Sequence, residues 1–474
     1  MLLLVNCGCS SIVDSHSQKA SFVSCYTAGD IAGAAALIDE KLSFSQNSGD
    51  ELAYLFEACS VNFLLQDYSR AIAYGDRAEQ VIREHDRRAL VSVRDLSAES
   101  AAAVSNQNML PFKGWCRDRI MLSFFKALNY VGAGNESAFR AQLKKLRFTQ
   151  ANIAEEYKDS AAREQQELNH AGHKLNRSCS TAEFASIRRG NAEFDDELLL
   201  SDKAAARGYG NFINPAALFL SGLGLIRDGN YENAAVEFRK IYAVLPNSRT
   251  AQKFLVTVLN KSGRKVPAPL STVSPFDFSL RNDCIYVFFA NGRGAALKQR
   301  AVYFPVMAAW PVGEYYEKYF DSLKIYSEDK TYTTELIADM DAVYAEELRK
   351  RLPGIVFRSL FSTLLKEAAS AAAVVAVEDK PASVQLAVIL GSLLYRSAFN
   401  TADTRCWELL PKELQLSALP LPRNRKLKIE FMAAGNRPLI RTLSLPRSCR
   451  SAIIYVSAVN ELNVKINVLP FESH

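Results

Sequence analysis

Histidine is scarce in this chain of 474 residues: there are five, at positions 16, 85, 170, 173 and 474. None stands in a nucleophile turn, which removes the usual base for serine or cysteine hydrolysis. His170 and His173 have only Cys179 near them and no HExxH helix, so they read as exposed polar sequence and no metal is expected. No GxxxxGK(S/T) loop occurs, and Gly222-Leu-Gly224 lacks a third glycine, so no nucleotide or other cofactor is expected. The adjacent carboxylates Asp195, Asp196 and Glu197 lie in a polar stretch and read as surface residues rather than an acid–base pair. Long apolar runs are missing too. The two richest, 368–377 and 384–395, fall short of the roughly 20 residues a spanning helix needs and are separated by Glu378, Asp379, Lys380 and Pro381, so they are expected as core helices. The nine cysteines are scattered, with no C-x-x-C, and are expected as mostly buried thiols, Cys59 among them.

What is present is ordinary globular composition, 49% hydrophobic and 23% charged. The length exceeds what one core usually organises, which predicts two domains. The 57 basic and 51 acidic side chains leave a net charge of +6. Two short basic clusters, Lys144, Lys145 and Arg147 and then Arg423, Arg425 and Lys428, have no aromatic ladder between them and are diluted by acids, so no nucleic acid is expected.

The first residues run Met1-Leu-Leu-Leu-Val-Asn-Cys7-Gly-Cys9-Ser-Ser, which looks like the end of a bacterial lipoprotein signal with Cys9 as the acylated residue. Asn6 departs from that pattern, and no Lys or Arg precedes the apolar run, as a start site further upstream would leave it. The expectation is a signal remnant over 1–9 and a lipid anchor on the outer side of a membrane, at the periplasmic face of an outer membrane.

Residues 20–258 are dominated by helical periodicity. Leu218, Gly222, Gly229, Tyr231, Ala234, Phe238 and Pro246 follow the spacing of a tetratricopeptide repeat, with Gly222 and Ala234 at the helix crossing and Gly229-Asn230 at the turn. Tyr68, Ala71, Tyr74 and Ala78 match the second half of the same unit. A third hairpin turns at 132–135 and an earlier one at Gly29-Asp30. Four hairpins suffice to stack into an array. The segment 151–203 interrupts them and is expected to project as a charged helix and a loop. By position, the inner helices would offer a partner groove at Tyr54, Glu57, Asn62, Leu218 and Leu225.

Gly, Pro and Ser concentrate over 259–275, which marks a linker. Beyond it, 276–474 reads as an α+β domain. A strand from Cys284 ends in Asn291-Gly292, helix returns over 335–373 with an interruption at Pro353, and alternating apolar residues at 427, 429 and 431 and at 464, 466 and 468 join 451–456 in an antiparallel sheet. The whole chain is therefore expected as α+β, an all-α hairpin array followed by a mixed domain.

Three groups of residues carry a resemblance: Asn291-Gly292-Arg293-Gly294, then Arg351-Leu-Pro353 with Arg358 and Lys366, and above all Ala402-Asp403-Thr404-Arg405-Cys406-Trp407-Glu408-Leu-Leu-Pro411. They are similar to a family of bacterial tetratricopeptide-repeat lipoproteins with an ADTRxWxxLP motif in the second half. Members usually carry proline where this chain has Ala295. The resemblance implies anchoring outside the cytoplasm, an envelope role and no established catalysis. Physically, Asp403 and Arg405 bracket a turn and are suited to a charge-assisted hydrogen bond, with Trp407 packed on the helix ending near Tyr395. Arg351, Arg358 and Lys366 share a helical region whose acids favour a solvated face over an anion site.

Two functions fit this reading. One is a lipid-anchored, non-catalytic scaffold that binds an envelope protein or peptide through the helical groove. The other makes the second half an enzyme or a small-ligand or anion module around Asn291, Arg293, Asp403 and Arg405, with Gly292, Gly294, Thr404 and Trp407 shaping the two turns.

Overall fold

The computed structural model describes residues 15–92, 111–174, 180–303, 307–381, 383–386, 388–389, 401–433 and 438–471. The fold is α+β, with helices first and strands after. The hairpins form where turn chemistry places them. Helices α1 (Ser15–Thr27) and α2 (Ile31–Ser45) turn at Gly29, and Asp30 caps α2 by accepting from the Gly33 N–H at 2.8 Å. Next come α3 (Glu51–Leu64) with α4 (Tyr68–Ser92), and α5 (Cys116–Gly132) with α6 (Glu136–Lys174). A fourth hairpin pairs α9 (Pro215–Arg227) with α10 (Tyr231–Val244), and α11 (Arg249–Lys261) packs on its outer side. A side-chain carbon at Gly222 would stand 2.7 Å from the Phe238 ring, so this crossing requires glycine. The hairpins stack in order: α2 on α3, α4 on α5, α6 on α9.

The intervening segment does not project freely. Helix α6 runs on to Lys174, and α7 (Thr181–Arg189) and α8 (Ala192–Ala205) follow it. Leu168, Ile187, Phe194 and Leu198 are buried, and α8 lies against the long helix α12 (Met340–Val375). The expected linker is a packed strap. Residues 259–261 finish α11, and Val266, Leu270 and Val273 lie on the main core.

Two sheets follow. Strands β1 (Cys284–Asn291), β6 (Glu335–Asp339), β7 (Glu413–Pro420), β10 (Ala452–Ala458) and β11 (Val464–Pro470) make a five-stranded sheet in the order β11-β10-β1-β7-β6. Strands β4 (Ser322–Ser327), β5 (Lys330–Thr333), β8 (Lys426–Met432) and β9 (Leu439–Ser444) make a second, ordered β5-β4-β8-β9, and β2 (Ala296–Tyr303) pairs with β3 (Met307–Glu314) apart from both. Strand alternation builds the layers. Tyr286, Phe288 and Ala290 of β1 join the core shared with the helices, while Ile285, Val287 and Phe289 join a second core with Leu323, Ile325, Leu427, Ile429 and Phe431.

Five details depart from the sequence reading. Strand β8 belongs to a different sheet from β10 and β11, and β1 pairs with β10 in parallel. Both β1 and β10 are buried on both faces, so their near-continuous apolar runs gave no sign of which neighbour they join. Residues 335–339 are strand, and α12 continues through Pro353 unbroken. The apolar stretch that ends α12 is exposed rather than core: Val374 and Val375 face solvent because no other described element covers them.

Candidate functional site

The five-stranded sheet lies on the inner helices of the array. Phe63 of α3 and Phe125 of α5 meet Tyr455 of β10 at ring separations of 5.0 and 6.1 Å, Phe124 meets Phe288 of β1, and Phe254 of α11 meets Tyr286. This corrects the expected groove. Tyr54, Glu57, Asn62 and Leu218 are buried and Leu225 packs against the core. Tyr54 donates to Gln18, and the Asn62 amide donates to the Ala58 carbonyl of its own helix. The chain's own second half occupies this face.

The residues 402–411 explain how the halves are joined. They run as irregular chain through a buried seam, so their backbone groups need partners that no ladder supplies. Side chains of the array supply them one by one. The carbonyls of Arg405, Cys406 and Trp407 accept from Trp115 Nε1 at 3.0 Å, from Lys19 Nζ, and from Arg117 Nη2 at 3.1 Å. The N–H groups of Glu408 and Leu409 donate to the two oxygens of Glu57, at 2.8 and 3.1 Å. Lys19 Nζ completes this carboxylate's shell at 2.9 Å, and neither side chain of the pair is exposed. Burial, the largest single influence, lowers the Lys19 pKa, but the charge and hydrogen bond of Glu57 together with the charges of Glu408 and Cys406 outweigh it and hold it above the usual range.

Asp403 and Arg405 do form the expected bond: the Arg405 guanidinium donates to both oxygens of Asp403 at 2.8 and 2.7 Å. It also reaches Asp50 at 2.9 Å and the Gly49 carbonyl at 3.2 Å, in the loop before α3. The helix end near Tyr395, on which Trp407 was expected to pack, lies outside the described residues, and Trp407 packs on the array. It stacks on Phe56 at 5.0 Å, approaches Phe125 at 5.6 Å and donates to Ser60. Thr404 accepts from the His16 N–H at 3.2 Å.

The turn after β1 sits against the same seam. Asn291 is buried and donates to the Phe320 carbonyl and to Glu413. The Gly292 N–H meets the Ala458 carbonyl, and the Gly294 N–H meets that of Leu410 at 2.7 Å. A side-chain carbon on Gly294 would fall 2.9 Å from the Pro411 carbonyl oxygen, so the two motifs touch backbone to backbone. The Ala295 N–H donates to Asp341 at 2.6 Å, a bond that proline at this position would lose. Its carbonyl accepts from Arg117, which thereby holds both turns.

Of the four residues expected to surround a ligand, Arg293 lines a cavity. Asn291, Asp403 and Arg405 are structural braces. Arg293 lines a recess of about 600 Å³, together with His16, Ala20, Val23, Ser24 and Thr27 of α1, Glu314, Tyr316 and Glu408, and Asn460 and Leu462 from the β10–β11 turn. The turn is fixed to α1 because the amides of Asn460 and Asn463 donate to the carbonyls of Thr27 and Tyr26. His16 stands between two acids, with Nδ1 3.2 Å from Glu408 and Nε2 3.4 Å from Glu314. Tyr316 donates its hydroxyl to Glu314. The Arg293 guanidinium lies 3.6 Å above the Tyr316 ring. Among the described residues no carboxylate pairs with it, and its buried Nε has no hydrogen-bond partner. Chemically this is a fixed cation on an aromatic platform, beside an imidazole whose two nitrogens are both engaged by acids.

The hydrogen bond to Glu408 and the charges of Glu408 and Glu314 raise the His16 pKa above 6.5, against burial and the Arg293 charge, which lower it. Stability from this contact is therefore fully present below the unfolded value and is lost as pH rises through the higher folded value. Denaturation midpoints measured from about pH 5.5 to about pH 8.5 are expected to fall with pH in the native protein, with a shallower slope in His16→Gln. Equal slopes would remove His16 from the linkage.

The other candidates resolve as surface or brace. Arg351 pairs with Glu347 and stacks over Trp115 and Tyr157, and Arg358 faces Glu164. Asp195 and Glu197 pair with Arg188 and Arg300, and Lys145 pairs with Glu79. Cys9, Cys179 and the side chains of His170, His173 and Lys366 lie outside what is described. Among the described residues no helix is long and apolar enough to cross a membrane, and no acid, histidine or cysteine group is arranged to hold a metal.

No family model matches the chain, and no curated protein matches it significantly. Sequence reasoning missed His16, Lys19 and Arg117. Arg293 was legible because it falls inside the first motif, whereas Glu408 stands at a variable position of the second and was not singled out. His16 carried no local signal, because its acids come from positions 314 and 408.

Proposed function

We propose that this is a non-catalytic binding protein, tethered through a lipid on Cys9 to the outer side of a membrane, that holds a small ligand bearing an anionic group in the recess at Arg293. The observation that carries this reading is the unpaired guanidinium of Arg293, stacked on Tyr316 in a cavity where both sequence motifs meet α1. The helical array serves as the frame of that site and gives its inner surface to the chain's own sheet. His16 supports binding over catalysis, because both its nitrogens face acids rather than a nucleophile. The motif residues support membership in the lipoprotein family and with it the envelope location.

The test is native mass spectrometry of protein extracted gently from its membrane. A co-purifying adduct is expected on the native chain, and it should be lost in Ser24→Trp, which fills the recess, and weakened in Arg293→Ala. An adduct unchanged in Ser24→Trp would contradict the assignment. A protein or peptide partner is the second reading. It is favoured by the large apolar side chains left exposed near the end of α12 and just beyond it, Val374, Val375, Val384 and Leu386.

A further inference from the structure

The recess has two unlike ends. Along α1, Ala20, Val23, Ser24 and Thr27 recur at helical spacing and, with Ala28 just past its end, present small, mostly apolar groups to the cavity, and Leu462 stands on its rim with 70% of its surface exposed. The charged groups gather at the other end, around Arg293, and the one amide near Leu462, that of Asn460, is engaged by the Thr27 carbonyl. This division selects an amphiphile rather than a compact polar anion, since inorganic phosphate or a sugar acid would leave the apolar wall wet.

The charges at the polar end add a condition. Glu314 and Glu408 contribute two formal negative charges there, facing Arg293 and His16. Arg293 alone balances one of them. Only when His16 also carries a proton does the cluster become neutral, with the acids occupied by the imidazolium and the Tyr316 hydroxyl and the guanidinium left to an incoming anion. The carboxylate is the natural partner, because a guanidinium whose face is stacked still presents its edge as a planar donor pair.

Resting on the reading of the recess as a binding site, we infer that its ligand is a single-chain carboxylate amphiphile, with the carboxylate on Arg293 and the apolar chain along α1 toward Leu462, taken up together with a proton on His16. The groups facing His16 are Glu408, Glu314 and Arg293, with Lys19 one turn along its own helix and engaged by Glu57. Arg293 is the one cation among them that opposes His16 protonation, and a bound carboxylate offsets it. The liganded protein therefore holds the proton more tightly, and by reciprocity the protonated protein binds the carboxylate more tightly. Affinity falls as pH rises through the His16 titration.

Isothermal titration of the intact protein with decanoate, 1-decanol and decyltrimethylammonium, each below its aggregation concentration, tests this. Decanoate is expected to bind at least about tenfold more tightly than either of the others, and Arg293→Gln to remove that preference. Between about pH 6 and about pH 8 the decanoate affinity should drop roughly fivefold in the native protein and stay flat in His16→Gln. Equal binding of all three probes, abolished by Ser24→Trp, would overturn the carboxylate assignment while leaving the recess as the binding site. Decanoate binding that survives Ser24→Trp would overturn both. Unperturbed far-ultraviolet circular dichroism of each variant shows that a loss is local.

Discussion

Replacing Glu57 by alanine is expected to destabilise the protein by about 3–5 kcal/mol, the range found when one partner of a buried ion pair is removed. Glu57 is fully enclosed and serves three donors at once: Lys19 Nζ and the N–H groups of Glu408 and Leu409. Alanine leaves a buried ammonium unpaired and two buried amides without acceptors, and each loss carries its own desolvation penalty. Glu57→Gln keeps the shape and one acceptor and should fall between. The pair also predicts strong non-additivity. Combining Lys19→Met with Glu57→Ala removes the stranded charge, so the double variant should be more stable than Glu57→Ala alone. Equilibrium urea denaturation reads all of these. A Glu57→Ala protein within about 1 kcal/mol of native would show that the seam around residues 405–409 is not held as described.

The second large effect is expected at Trp407. This indole is fully buried, stacked on Phe56, close to Phe125 and bonded to Ser60, so it belongs to the second half by sequence and to the helical array by contact. Trp407→Ala should destabilise by about 3–5 kcal/mol through lost transfer energy and the cavity left behind. Trp407→Phe keeps the stack and loses the hydrogen bond, and should cost about 1–2 kcal/mol. The contrast separates packing from position. If Trp407→Ala unfolded only the strand region, leaving helical signal intact at the same denaturant concentration, the indole would be bracing its own half alone.

Much of the fold was legible, for local reasons. The turns at Gly29-Asp30, Gly229-Asn230 and 132–135 carry their own signals, and Gly222 opposite Phe238 is a fixed offset within one hairpin. Alternation at Leu427, Ile429 and Phe431 correctly named the dry face of β8. What was not legible depends on distance in the chain. Nothing near β8 states that it joins β4 rather than β10, and nothing near α3 states that a sheet from residues 284–470 will lie on it. Of the five groove residues expected on the inner helices, Glu57 reaches the second half, and the others are buried in or packed on the core. The recess follows the same pattern. Arg293 stood out within a motif, whereas His16 and Glu408 became part of the site only through contacts between positions nearly 300 and 400 residues apart.

The second half fills the inner face of the helical array, joining the two into one body. Hydrogen–deuterium exchange across α3 and α5 tests it most directly. If the sheet covers these helices, amides over residues 51–64 and 116–132 will exchange as slowly as those of β1 and β10, through unfolding of the whole. Rapid exchange of α3 and α5 while β1 and β10 stay protected would mean that the array opens independently, and the seam, the covered groove and the frame of the recess would go with it.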